Sequence, residues 1–512
     1  MELEHFDVLI MGAGLSGIGA AYHLQKHCPN KSYIILEQRD RIGGTWDLFR
    51  YPGIRSDSDM FTMGYSFRPW TNTKAISPGE DIRAYITETA QESGIHRHIR
   101  FRHEIKSAAW FSQHAQWQIK ATRKLPDGGE EPVTLTCNFL FSCAGYYRYS
   151  AGYLPQFPNI NNFRGRVVNP QAWPEDLDYA GKRVIIIGSG ATAVTLLPSM
   201  GKTAAHVTML QRSPTYVVSL PEQDRIANWL RRVLPPIWAY RLSRIKNVAF
   251  MIYFYQLAQR YPEFVKAGII KNVSKAVGPN CDVATNFTPS YNPWQQRLCL
   301  VPNGDMFKTI KSGRASVVTS HIRTFTENGV QLESGETLEA DIIVTATGLM
   351  MQAFGGVQLS VDGNAIDLAN TLAYKGVMLS GVPNLASVFG YINASWTLKA
   401  DLICGYVCRL LNYMDTKGMR QVTPQSRGET AVAPFVENFT SSYVQRSLAG
   451  WPKQGSKAPW RVYQNYLRDT IYLKWRSFND GSLEFSNPTP KASSGHAPTN
   501  LAKASMGESS ST

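Results

Sequence analysis

Two glycine-rich turns, each suited to holding a pyrophosphate, lie 176 residues apart in this chain of 512. The first follows the apolar residues Val8, Leu9, Ile10 and Met11 and reads Gly12, Ala13, Gly14, Leu15, Ser16, Gly17. The second follows Val184, Ile185, Ile186 and Ile187 and reads Gly188, Ser189, Gly190, Ala191, Thr192, Ala193. In each, a strand feeds a tight turn and the next segment reads as a helix. Free N–H groups and the positive end of the helix dipole then face the phosphates. The charged residue downstream of each turn differs in sign. Glu37 stands twenty positions after Gly17, and a carboxylate accepts the protons of free ribose hydroxyls. The second unit's next strand ends on Arg212 and Ser213, and no Asp or Glu occurs between Ala191 and Leu220. A guanidinium there suits a ribose that carries a 2′-phosphate. The two turns predict two dinucleotides, the first FAD-like and the second NADP-like.

Positioning two such turns needs α/β units in series, and strands alternating with helices predict parallel sheets wound on both faces. The predicted fold class is α/β, with two dinucleotide-binding (Rossmann-like) domains and a helical insertion. Residues 1–148 read as the first part of the FAD-binding domain and 149–221 as the first part of the NADPH-binding domain. A basic helical insert follows at 222–285, then the second part of the NADPH-binding domain at 286–340. The strand at 340–345 is expected to return the chain to the first unit, whose second part, with the substrate pocket, runs over 341–485. Residues 486–512 are too poor in apolar groups to fold and predict a disordered tail.

Composition bounds the alternatives. At 43% apolar and 18% charged residues the chain reads as an ordinary soluble globular enzyme. The start runs directly into the first strand without a signal-peptide pattern, and no apolar run approaches the roughly 20 residues of a membrane span. Seven scattered cysteines without a Cys-x-x-Cys argue against zinc, a disulfide framework and a redox-active pair, and fit a reducing cytoplasm. Cys404 and Cys408 read as buried thiols on one helix face. The ten histidines are scattered and predict no metal site. The net charge of +14 does not point to nucleic acid, because it is concentrated. Residues 225–275 hold ten Lys or Arg and one acid, Glu263, together with Trp229, Trp238, Tyr240, Phe250, Tyr253, Phe254 and Tyr255. One reading is a helical insert that packs its aromatics on the body and solvates its charges; the other is weak peripheral contact with an anionic membrane. The first is the simpler.

After Glu37 come Gly43, Gly44, Thr45, Trp46, Asp47 and Leu48, then Tyr51, Pro52, Gly53, Arg55, Ser56 and Asp57. Paired glycines let the backbone approach a cofactor closely, and Trp46 offers a flat face to a flavin ring. The spacing Gly-Gly-x-Trp, four residues, Tyr-Pro-Gly, three residues, Asp is similar to a signature of type I Baeyer–Villiger monooxygenases. Their second signature resembles Phe163, Gly165, Asn169, Trp173 and Pro174 here, with Asn169 where the family has His. The run from Asn292 to Pro302 resembles the stretch holding the family's catalytic arginine, with Gln296 where many members have Lys. Residues 50–60, 297–305 and 393–401 are similar to the subgroup that activates the thioamide prodrug ethionamide. The resemblance runs from about residue 6 to about residue 475.

The resemblance implies FAD and NADPH as cofactors, and Arg297 as the catalytic cation with Asp57 as the carboxylate that holds it. It implies oxygen insertion from O2 into ketones through a C4a-peroxyflavin, with sulfides or thioamides also oxidised. A fixed guanidinium suits this chemistry, being always charged and rich in donors. Ile105 joins the candidate cofactor contacts. Aromatics in the insert suggest small apolar substrates, with the pocket formed by the insert and the segment near residues 393–401. Two other readings remain open: an N- or S-monooxygenase without ketone activity, and a flavin protein acting only as NADPH oxidase or sensor; a pyridine-nucleotide disulfide reductase would need a redox cysteine pair, and none stands at the right spacing. Oligomeric state is not encoded in any motif.

Overall fold

The computed structural model describes residues 3–279, 281–437 and 439–488. The first glycine turn leaves the strand Glu4–Met11, whose last four residues are fully buried. A strand apolar on both sides must be covered on both, the usual condition of a parallel sheet. It pairs in parallel with Tyr33–Leu36 on one side and Glu130–Ser142 on the other, within a sheet of nine strands. That sheet is mixed, against the expectation of wholly parallel sheets. Glu130–Ser142 is parallel to Glu4–Met11 and Leu385–Ser387 near its end, yet its first half runs antiparallel to Gln116–Lys124. The cause is a short hairpin: Gly128, at φ +86°, turns the chain back between these two strands. Only antiparallel strands can be joined by so short a connection.

The second sheet has five strands, all parallel, in the order Ala315–Thr319, His206–Gln211, Arg183–Ile187, Ile342–Thr345, Arg166–Val168. Ile342–Thr345 therefore does not return the chain to the first unit. It lies inside the second sheet, beside the strand that feeds the second glycine turn. All four of its residues are buried, so the sequence marked a central strand but not which sheet it centres. The return comes with Gln358–Val361, which pairs with His103–Phe111 of the first sheet.

The insert is helical, with Arg225–Val233, Pro236–Arg260, Pro262–Val277 and Val283–Phe287. Asp224 caps the first helix by accepting from the Ala227 N–H, and prolines open the next two where no N–H is needed. The long helix docks through Arg244. Its Nη1 donates to the carbonyls of Phe61, Thr62 and Gly64 at 2.9, 3.2 and 2.7 Å, and its Nη2 reaches Asp401 at 3.3 Å. The insert's aromatics divide, contrary to the simpler reading. Tyr240 is buried and Phe254 and Tyr255 half-buried, but Trp229, Trp238, Phe250 and Tyr253 are all more than half exposed. Among the described residues no helix is long and apolar enough to cross a membrane. Cys404 and Cys408 are buried. The last strand, Leu483–Ser486, takes one residue from the expected tail, pairing Ser486 with Gln421; from residue 489 the tail lies outside the described residues.

Candidate active site

The first glycine turn and the helix that starts just after Gly190 of the second line one cavity of about 630 Å³, which Gly188, Ser189 and Gly190 do not themselves line. Gly12, Gly14, Ser16, Glu37, Gly44, Thr45, Trp46 and Ile105 line its first side, and Ala191 and Thr192 its second, with Arg55, Ser56, Asp57 and Arg297 between them. At the first turn the backbone leaves no room for side chains. A Cβ on Gly14 would lie 3.4 Å from the Cα of Gly44, and one on Gly17 only 1.9 Å from the Gly12 carbonyl oxygen. Gly17 thus serves close packing of helix on strand, behind the cavity wall. Glu37 is buried, its Oε2 accepting from the Ala13 N–H at 2.7 Å and its Oε1 from the Arg39 N–H at 2.9 Å. Burial raises its pKa, partly offset by these two N–H groups. Each carboxylate oxygen keeps acceptor capacity for a ribose hydroxyl. A glycine floor, an open helix N-terminus and this carboxylate fit a dinucleotide with free ribose hydroxyls.

Two of the expected contacts turn away. Asp47 is fully buried and receives Arg39 Nε at 2.8 Å and Arg50 Nη2 at 2.6 Å; Leu48 packs on the core of the second unit. Arg55 lines the cavity, but its Nη1 is committed to Asp305 at 2.5 Å. The second turn is looser. Gly188, at φ +138°, passes so close to Ala346 that a Cβ would lie 2.2 Å from its carbonyl oxygen, whereas a Cβ on Gly190 would meet nothing within 4 Å. Ser189 is half-buried, Ala193 is packed inside the helix, and Arg212 and Ser213 are exposed at the end of their strand.

Arg297 and Asp57 form an ion pair, each about a third exposed toward the cavity. Burial opposes the Arg297 cation, but the groups around it, the Asp57 carboxylate first, outweigh burial and raise its pKa above the ordinary arginine value. The phenols of Tyr146, Tyr147 and Tyr443 are held neutral, chiefly by burial. Tyr146 and Tyr147 share a hydrogen bond, and the Tyr146 ring stacks on Trp396 with centroids 5.0 Å apart. Trp396 in turn donates its Nε1–H to Ser16 Oγ at 2.8 Å, tying the aromatic wall to the first turn. Upstream of Arg297, Trp294 sits at φ +73° with its buried Nε1 unpartnered. Backbone outliers of this kind cluster at functional sites.

The sequence reading missed the tyrosines. Tyr146 and Tyr147 follow the strand Glu130–Ser142 at its carboxyl end, where open α/β sheets bind ligands, so a signal existed. Tyr443 arrives from a distant segment without a local signal. Arg446, one turn further, was also missed. Its guanidinium lies 3.5 Å over the Tyr153 ring and its Nη2 donates to the Leu349 carbonyl at 3.3 Å. Burial and the nearby Arg212 cation lower its pKa, while Tyr153 opposes them. The two arginines are near enough for each cation to oppose the other.

The expected pocket is half corrected. Ala394 and Trp396, from the segment at 393–401, line the cavity, but no described residue of the insert does. The insert's Met251 and Ile252 pack instead behind that wall, against the cluster of Tyr391 and Leu398. Asn169 also lies outside the cavity. It caps the short helix Pro170–Ala172, its Oδ1 accepting from the Gln171 N–H at 2.9 Å, and fits tightly against Gly152 of the linker.

Known proteins place this geometry. A family model described as flavin-binding monooxygenase-like matches residues 7–229. FAD-containing monooxygenase EthA of Mycolicibacterium smegmatis is 52% identical over 485 residues, 94% of this chain and 97% of that protein. The chain belongs to the FAD-containing monooxygenase family. EthA of Mycobacterium tuberculosis is 51% identical over 95% of this chain and 99% of its own length. Probable FAD-binding monooxygenase AlmA of Acinetobacter baylyi is 47% identical over 95% and 97%. Among solved structures, an oxidized steroid monooxygenase bound to NADP superposes with a TM-score of 0.73 at 20% identity, covering 94% of this chain and 100% of that one. An open cyclohexanone monooxygenase gives 0.67 at 20% identity, covering 83% and 90%. The two share the family's fold, and the resemblance read from the motifs agrees with them.

Proposed function

We propose that this family member is an FAD- and NADPH-dependent monooxygenase of the Baeyer–Villiger kind. It inserts one atom of O2 into small apolar ketones, giving esters or lactones, and oxidises sulfides and thioamides at sulfur. The observation that carries this reading is the Arg297–Asp57 pair, set in the cavity lined by the first glycine turn and the helix after the second. In balance, ketone, O2, NADPH and one proton give ester, water and NADP⁺. When bound, the flavin supplies the electron transfer that activates O2. The chain's own residues then orient and stabilise. Arg297 keeps a full positive charge and several donors in a partly desolvated cavity, where they stabilise negative charge developing on the substrate's carbonyl oxygen. Asp57 fixes the guanidinium in direction, and the neutral tyrosines exclude water around it. Glu37 holds the ribose of the flavin nucleotide.

On the second side, Arg212 reads the 2′-phosphate of NADPH. Gln296 brings no positive charge where many members of the resembled family have Lys, and Arg446, stacked on Tyr153, supplies the second cation from another loop. Turnover of a ketone panel under ¹⁸O2 tests the proposal. One labelled oxygen per ester, formed in step with NADPH consumption, is expected. NADPH oxidation that yields only hydrogen peroxide would overturn it, and sulfoxide without any ester would restrict the enzyme to heteroatom oxidation.

A further inference from the structure

The insert presents an outward face that the active site does not use. On the helix Pro236–Arg260, Trp238, Leu242, Ile245, Ala249 and Tyr253 recur at spacings of four and three residues, which places them on one stripe. All five are exposed, Trp238 at 55%, Ile245 and Tyr253 at 65%. The opposite stripe, with Tyr240, Arg244 and Met251, is the one that docks on the body. This helix is therefore apolar on both sides, and its outer side is uncovered by the chain's own described residues. The preceding helix, Arg225–Val233, continues the stripe with Ile226, Trp229 and Val233 exposed at 54, 59 and 55%.

The charges around this stripe are of one sign. Arg225 and Arg232 are exposed along its margin on the first helix, and Arg241 lies over the Trp238 ring at 5.4 Å. Of the ten cations between residues 225 and 275, only Arg244 and Lys246 form ion pairs with carboxylates among the described residues. The nearby carboxylate on these two helices, Asp224, is the one that Lys246 holds. A second copy of the chain would bring like charges together across this face. Tryptophan and tyrosine flanked by arginine is the composition of segments that rest in the headgroup region of a bilayer.

We infer that the helices Arg225–Val233 and Pro236–Arg260 dock the protein on an anionic membrane surface, with Trp229, Trp238 and Ile245 entering the headgroup layer and Arg225, Arg232 and Arg241 meeting acidic lipids. The docked face and the cavity share one wall. Met251 and Ile252, on the inner side of the long helix, pack with Tyr391 and Ala394, both of which line the cavity.

The test is co-sedimentation of the full-length, flavin-loaded protein with vesicles of phosphatidylglycerol and phosphatidylcholine, against vesicles of phosphatidylcholine alone. Binding to the acidic vesicles, weakened by salt, is expected. Trp229→Ser combined with Trp238→Ser should lower the partition coefficient by at least about tenfold, and Arg225→Glu with Arg232→Glu should do the same through charge. Flavin content and turnover of a water-soluble substrate should remain those of the parent in both variants. Absence of binding to acidic vesicles, or binding that both double variants retain, would overturn the inference. So would a dimer in light scattering that both double variants dissociate, since the face would then be a contact between copies.

Discussion

The two nucleotide turns share a plan and differ in how tightly the protein closes on them. The first is packed from behind and in front: Gly17 against Gly12, Gly14 against Gly44, and a buried Glu37 tied by two N–H groups. The second stands more open, with free space at Gly190 and its charged reader, Arg212, exposed at the strand end. A buried carboxylate is costly unless its site is filled and satisfied, whereas an exposed guanidinium waits in water at little cost. On this contrast we propose that the first site holds a group that stays and the second one that comes and goes.

The largest test acts where the sites meet. Arg297→Ala should lower ester formation by at least about 10²–10³-fold while reduction of the flavin by NADPH from the second site continues. Product per NADPH consumed is the readout, and a ratio near that of the parent would break the link between the two sites. Gly17→Ala attacks the closed turn. Its Cβ would meet a backbone carbonyl that cannot move aside, so overpacking should cost roughly 1–3 kcal/mol or more, with lower Tm and loss of flavin absorbance. Arg212→Ala attacks the open turn instead. The preference for NADPH over NADH in kcat/KM should shrink by roughly 1.5–3 kcal/mol, flavin content staying the same. Arg446→Ala should act in the same direction and less strongly, because its guanidinium already spends one donor on Leu349.

Gly190→Ala sharpens the comparison further. With nothing within 4 Å of the new methyl, Tm should hold, and only the KM for NADPH should rise as the methyl crowds the pyrophosphate. A fall in Tm like that of Gly17→Ala would mean the two turns are equally closed. The smallest effect is expected from Asn169→His. Asn169 caps a linker helix outside the cavity, so turnover should change by less than about tenfold, about 1.4 kcal/mol of barrier. A large rise in product per NADPH would instead give that position a part in coupling the nucleotide to oxygen transfer.

Local patterns carried much of this protein in its sequence. A buried strand, a glycine turn and a charged residue at a fixed distance are consecutive in the chain, because the physics of holding a pyrophosphate is itself local. Hence both turns and the α/β class were legible, and the motif around Arg297 pointed to the family. What only the tertiary structure decided depends on segments far apart meeting. Ile342–Thr345 looks like any buried strand, and its membership of the second sheet rests on pairing with residues more than 150 positions earlier. Tyr443 and Arg446 come from a segment more than 140 positions after Arg297. The aromatics of the insert carry the same side chains whether they face the core or water, and only the docking of Arg244 on Phe61, Thr62 and Gly64 fixes which face of that helix is left outside.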